Sequence, residues 1–222
     1  MIFLLLRLLF FIALGTFFIK FFYQLISNIQ PSSNKIVDDL KSLKKDVSAW
    51  PKNLVPWSKE EMELLSFEQM HQEIKKGLSK SAKGIFTSVY HEPLLIYNYK
   101  QYLARGVNAL LYARTSKHEF AYRINKKEVI ISIDNEYAGV LKEDGKLYGG
   151  EKNTLIAEID RDDTLELHPV KIGTKEVGRV VNPTKAAVPN PRAFKLVGPL
   201  EEKEEEVFLS LAILEMVTES FK

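Results

Sequence analysis

Between Val207 and Val217 nine of eleven residues are apolar, in the run VFLSLAILEMV, and winding them at 3.6 residues per turn leaves no polar stripe. A helix of this kind has to be covered on every side. Eleven residues are too few to cross a bilayer, so the cover must be protein. Glu201, Glu202, Glu204, Glu205 and Glu206 precede the run and place negative charge at the positive end of the helix dipole, as expected of a helix start that protrudes into water.

The chain before it offers such a cover. After Gly84, short β-branched and aromatic runs alternate with turn residues, which predicts strands over residues 85–90, 94–99, 107–114, 119–124, 128–133, 137–141, 146–148, 154–159, 164–170, 176–181 and 193–197. Asn125-Lys126, Asp134-Asn135-Glu136, Asp144-Gly145, residues 160–163 and Gly173-Thr174 sit where hairpins need turns. Many short, evenly spaced strands mean a sandwich or a barrel rather than a parallel sheet. A β-rich domain encloses a wholly apolar helix inside a closed barrel or between two sheets. The expected fold is therefore mainly β, an antiparallel barrel filled by its own C-terminal helix, over residues 83–222.

Such a barrel resembles the tubby C-terminal fold, shared by the Tubby proteins, the phospholipid scramblases and the LURP-one-related proteins. The resemblance covers residues 128–217: EYAGVLKEDGKLYG is similar to the strand-turn-strand units of that superfamily, KEVGRVVNP to a later strand, and VFLSLAILEMV to the terminal buried helix. It implies a filled barrel that binds at membranes. The calcium-loop and phosphoinositide-binding residues of the family have no positional match here, so no functional residue is carried over.

At the other end, MIFLLLRLLFFIALGTFFIKFFYQLI is interrupted only by Arg7, Thr16, Lys20 and Gln24. At 1.5 Å per residue it reaches roughly 39 Å, enough for a hydrocarbon core of about 30 Å with Arg7 and Lys20 snorkelling to opposite interfaces. A cleaved signal peptide is the alternative, but Lys20-Phe21-Phe22-Tyr23 after the apolar block offers no small-x-small site. The expectation is a single-pass anchor over residues 1–27. Lys35, Lys41, Lys44 and Lys45 follow the span, against Arg7 alone on the other side, which places the domain in the cytoplasm.

A helical connector is expected over residues 28–82. Ile36, Leu40, Leu43 and Val47 recur at helical spacing, and Ser58 with Glu61 forms a capping box that predicts a second helix over residues 59–79. Trp50 and Trp57 flank the prolines between the two, and fit either an interfacial anchor or packing on the domain.

Function is less legible. The net charge is +2, divided as +3 over residues 1–82 and −1 over residues 83–222, so the basic bias that neutralises nucleic-acid phosphates is missing. With no cysteine the chain has no disulfide, thiol nucleophile or thiolate metal site. His71, His91, His118 and His168 lack metal spacing, and no phosphate loop, dinucleotide fingerprint or nucleophile elbow occurs, so no catalytic residue, metal or cofactor is assigned. Asp160, Asp162 and Asp163 lack the glycine and closing glutamate of a calcium loop and read as a solvated turn.

The one candidate site is basic. Lys171, Lys175, Arg179, Lys185, Arg192 and Lys195 face only Glu176 across residues 171–195, and each that reaches a membrane surface adds roughly 1 kcal/mol with anionic headgroups. The bland alternative is charges alternating along strands toward water. The reading is a membrane-anchored, non-enzymatic binding domain whose partners are membrane lipids through the N-terminal helix and anionic headgroups or a membrane protein through the barrel. Two rivals stay open: an enzyme using carboxylates such as Asp134, Glu136 and Glu158, and a structural subunit of a membrane complex.

Overall fold

The computed structural model describes residues 2–29, 31–48, 50, 54–58, 61–76, 79–104, 106–150, 152–162, 164–182, 185 and 192–219. Helix α1 (Ile2–Ile29) leads into α2 (Ser33–Ser48), and a 3-10 turn (Met62–Leu64) opens the sheet. Twelve strands follow: β1 (Leu65–Lys76), β2 (Lys80–Ser88), β3 (Pro93–Gln101), β4 (Ala109–Arg114), β5 (Glu119–Ile124), β6 (Glu128–Ile133), β7 (Glu136–Lys142), β8 (Lys146–Gly149), β9 (Thr154–Ile159), β10 (Leu167–Ile172), β11 (Lys175–Val181) and β12 (Phe194–Leu196). Helix α3 (Glu202–Glu219) comes last.

Each strand pairs antiparallel with the next, so the sheet is a meander in sequence order that curls into a nearly closed barrel. At the seam between β1 and β12, an antiparallel bridge joins Ser66 to Arg192, and the Ala193 amide donates to the Leu65 carbonyl at 2.7 Å. The Leu196 amide adds a short bond to Glu63.

α3 fills the interior. Phe208, Leu209, Leu211, Ala212, Ile213, Leu214, Met216 and Val217 are all buried, and they share one core with inward residues such as Phe120, Tyr122, Ile131 and Val180. The Tyr122 hydroxyl donates to the Ser210 carbonyl at 2.9 Å and satisfies the one polar atom that its ring carries inside. Phe208 meets Phe194 edge-to-face, with centroids 5.0 Å apart. This seat depends on Gly178, where a Cβ would stand 2.8 Å from the Phe208 ring and 3.0 Å from the Lys195 carbonyl.

The helix expected over residues 59–79 is not formed. The capping box is real: the Ser58 amide donates to Glu61 Oε2 at 2.8 Å, and the Glu61 amide to Ser58 Oγ at 3.3 Å. It opens only the 3-10 turn, after which the chain enters β1 and pairs with β2. The helical connector therefore ends at Ser48, and the sheet begins at Leu65 rather than near residue 83.

α2 behaves as its spacing predicts. Leu43 and Val47, with Ile36 and Leu40, pack on Ile85, Ile96, Leu110 and Tyr112 outside the barrel. Trp50 joins this cluster beneath Lys83, whose ammonium lies 4.4 Å from the ring centroid, and Trp57 belongs to the barrel core, so both tryptophans pack on the domain.

Polar bonds strap α2 down. Asp39 accepts from the Tyr102 hydroxyl and from Lys100, each at 2.7 Å, and Lys44 lies 2.5 Å from Glu119. Burial pushes the Asp39 carboxyl up, but the Lys100 and Tyr102 bonds outweigh it and hold the group below its ordinary 3.8. A carboxyl depressed by folding stabilises the native state above its unfolded pKa, and that contribution fades as pH falls through the folded value. Protection factors of α2 amides should accordingly fall below about pH 4 while those of β-core amides hold. Asp39→Asn should lower stability by on the order of 1 to 2 kcal/mol and remove this acid dependence.

The apolar side chains along α1 are largely exposed, including Phe11, Phe17, Ile19 and Phe22. The side chains of residues 2–6, 8, 24, 25 and 27 lie outside the described set, and among the described residues no helix is long and apolar enough to cross a membrane.

Candidate functional site at the barrel mouth

In a meander the hairpins alternate between the two ends of the barrel. The β3–β4, β5–β6 and β9–β10 connections therefore share one end with the β11–β12 connection. α1 arrives at that same end, where the Leu103 amide in the β3–β4 loop donates to the Asn28 carbonyl at 2.8 Å. The last turns of α3 reach it from inside.

The β3–β4, β5–β6 and β9–β10 connections, the strand ends beside them and the last turns of α3 form a cleft of ≈ 270 Å³. Val107, Ile124, Val129 and Leu214 supply apolar wall, Lys126 lines it from the β5–β6 turn, and Arg161, His168 and Glu215 supply the polar groups. Arg161 Nε donates to Glu215 Oε1 at 2.7 Å, and its Nη2 lies 2.6 Å from the same oxygen. Glu215 sits near the C-terminus of α3, where the helix dipole disfavours a carboxylate, so the guanidinium compensates both the burial and the dipole.

His168 adds an unusual element. It is buried on β10, and its Nε2 has no hydrogen-bond partner among the described residues. A buried polar atom left unpaired costs free energy, which a polar group entering the cleft can remove. The arrangement suits a ligand with an anionic or hydrogen-bonding head and an aliphatic body. Lys126 supplies positive charge, the charge of Arg161 being answered by Glu215, and His168 offers a ring nitrogen.

The six basic residues read from the sequence do not form one patch. Lys171, Lys175, Arg179 and Lys195 are exposed on β10 to β12, with Arg179 directly opposite Lys195. Their charge is partly answered: Arg179 bonds Glu176 at 2.7 Å, Lys175 lies 3.2 Å from Glu204, and Lys171 stands in register between Glu158 and Glu176. Lys185 and Arg192, both exposed, flank the proline-rich connection, whose residues 183–184 and 186–191 lie outside the described set. They belong to the end of the barrel that carries α1, whereas Lys171 and Lys175 belong to the other.

The carboxylates of the enzymatic alternative are not gathered either. Asp134 and Glu136 lie at the β6–β7 turn, where Asp134 bonds His118 Nδ1 at 2.7 Å, while Glu158 stands on β9 opposite Lys146 and Lys171. Asp162 accepts from the Thr164 amide and hydroxyl at 2.9 and 2.7 Å, which makes a turn of that loop. Among the described residues no group of three His, Asp or Glu side chains is placed to hold a metal ion.

Arg161, His168 and Glu215 were missed as a site in the sequence. One signal was available: a single glutamate inside the otherwise apolar stretch of α3 implies a buried cationic partner, although not which one. No protein-family model, curated protein or solved structure matches this chain.

Proposed function

We propose that the chain is a membrane-anchored binding protein, in which α1 makes a single pass through the bilayer and a non-enzymatic, tubby-like barrel turns its mouth toward anionic lipid headgroups or a membrane-protein partner. The observation that carries this reading is the junction of Leu103 with Asn28. The loop that holds the end of the apolar helix also supplies Val107 to the cleft, so helix end and mouth share one side. Twelve antiparallel strands around a buried C-terminal helix support the tubby-like architecture. The 28 residues of α1 reach about 42 Å. The described part alone is not long and apolar enough to cross, but residues 2–6 and 8, whose side chains lie outside the described set, are apolar in sequence, and the exposed apolar rings further along suit lipid. The lysines after the span support a barrel on the cytoplasmic side.

Four exposed cations, Lys126, Lys127, Lys185 and Arg192, belong to the connections at this end. At roughly 1 kcal/mol each they suit an anionic surface. A chain starting at Pro31 keeps both α2 and the barrel. It should float with vesicles of phosphatidylcholine plus phosphatidylserine at low salt, and be released at high salt or from phosphatidylcholine alone. Replacing the four cations by glutamate should weaken binding roughly tenfold or more. Absence of binding to either vesicle would exclude the headgroups and leave the membrane-protein partner, to be sought by crosslinking the full chain in its membrane.

A further inference from the structure

At the other end of the barrel, where α3 begins, the segment after β12 leaves a second cavity of ≈ 300 Å³. Its walls are apolar, from Met62, Leu196, Pro199 and Leu200, and it holds two carboxylates, Glu63 and Glu205. Glu63 uses one oxygen to bond the Leu196 amide. Glu205 is 3% exposed, and its Oε1 is buried with no hydrogen-bond partner among the described residues.

Among the described residues no cation answers these charges. Every described residue lining the cavity is apolar or acidic; of the lysines on the adjoining elements, Lys175 pairs with Glu204, and Lys195 and Lys203 are exposed. The positive end of the α3 dipole offsets part of the charge, but Glu201, Glu202 and Glu204 crowd the same turn. An acceptor-only group held in apolar surroundings without a donor is costly to the fold, and sites that keep such a group are enriched in function. The volume lies at the lower limit of small-molecule pockets.

We propose that this pocket binds a small primary aliphatic amine, with the ammonium donating to Glu205 Oε1 and the alkyl chain lying against Met62, Leu196, Pro199 and Leu200. Three donors on an ammonium suit two neighbouring carboxylates, and the single apolar wall suits a short chain. The site lies at the end of the barrel away from α1, so it is independent of the membrane reading.

The test is calorimetric titration of the full chain, in neutral detergent, with n-butylammonium chloride, n-butanol and sodium butyrate. Saturable one-to-one binding of the ammonium alone is expected. Glu205→Gln, close in shape and free of charge, should weaken it at least tenfold without lowering the melting temperature. A second variant, Val197→Lys, puts a tethered ammonium at the rim. It should abolish butylammonium binding and raise the melting temperature. Butanol binding as tightly as butylammonium would overturn the proposal, as would unchanged binding by Glu205→Gln or a lowered melting temperature in Val197→Lys.

Discussion

Leu211→Asp should abolish the cooperative unfolding transition of the barrel. Leu211 is fully buried near the middle of α3, surrounded by inward side chains of the sheet. Losing the leucine costs about 3 kcal/mol in transfer and cavity terms. An unpaired carboxylate in that position adds several more. The sum, on the order of 5 kcal/mol or above, matches the whole stability of an ordinary domain. The measurement is a melt followed by near-ultraviolet circular dichroism. Leu155→Asp, on the exposed face of β9, is the control and should change stability by less than about 0.5 kcal/mol. If the Leu211 variant melted like its parent, α3 would not be the core.

Arg161→Met comes next in size. It leaves Glu215, whose side chain is 9% exposed, without the guanidinium that compensates it. Breaking a buried ion pair from one side costs about 3 to 5 kcal/mol, and the lower figure applies because Arg161 is itself 32% exposed. The double variant Arg161→Met with Glu215→Leu should recover most of the loss, because nothing charged is then left buried. Chemical denaturation of both single variants and the double gives the coupling directly. A double variant no more stable than Arg161→Met alone would mean that the pair is not coupled and that the loss comes from the packing of Arg161.

The same two residues show where sequence reasoning stops. Eleven of the strands were legible because a β-strand announces itself locally, through alternation and turn chemistry: Glu119–Ile124, Glu128–Ile133 and Thr154–Ile159 coincide with the expected residues. β1 was not legible. Its register shifts between Leu65 and Gln69 and again between Met70 and Glu73, and His71 takes a positive φ of 54°, so bulges erase the period-2 pattern that would identify it. A helix-forming composition behind a genuine capping box then points the wrong way, and pairing with β2 overrides it. α3 was readable because an all-apolar helix has few possible environments. The partnership of Arg161 with Glu215, 54 residues apart, and the bare nitrogen of His168 come from barrel closure, which no local pattern encodes.

The position of α3 behind all twelve strands also bears on synthesis. A ribosome delivers the whole sheet before it delivers the helix that the sheet surrounds. The nascent chain therefore has an unfilled concave face lined with Phe86, Tyr97, Phe120 and Ile131, and the seam at Ser66 stays unsealed until Arg192 and Ala193 emerge. Strand edges and apolar faces exposed for that interval are the surfaces on which nascent chains aggregate. Closure of this barrel therefore waits for the C-terminal residues, and the interval before it is when aggregation competes with folding.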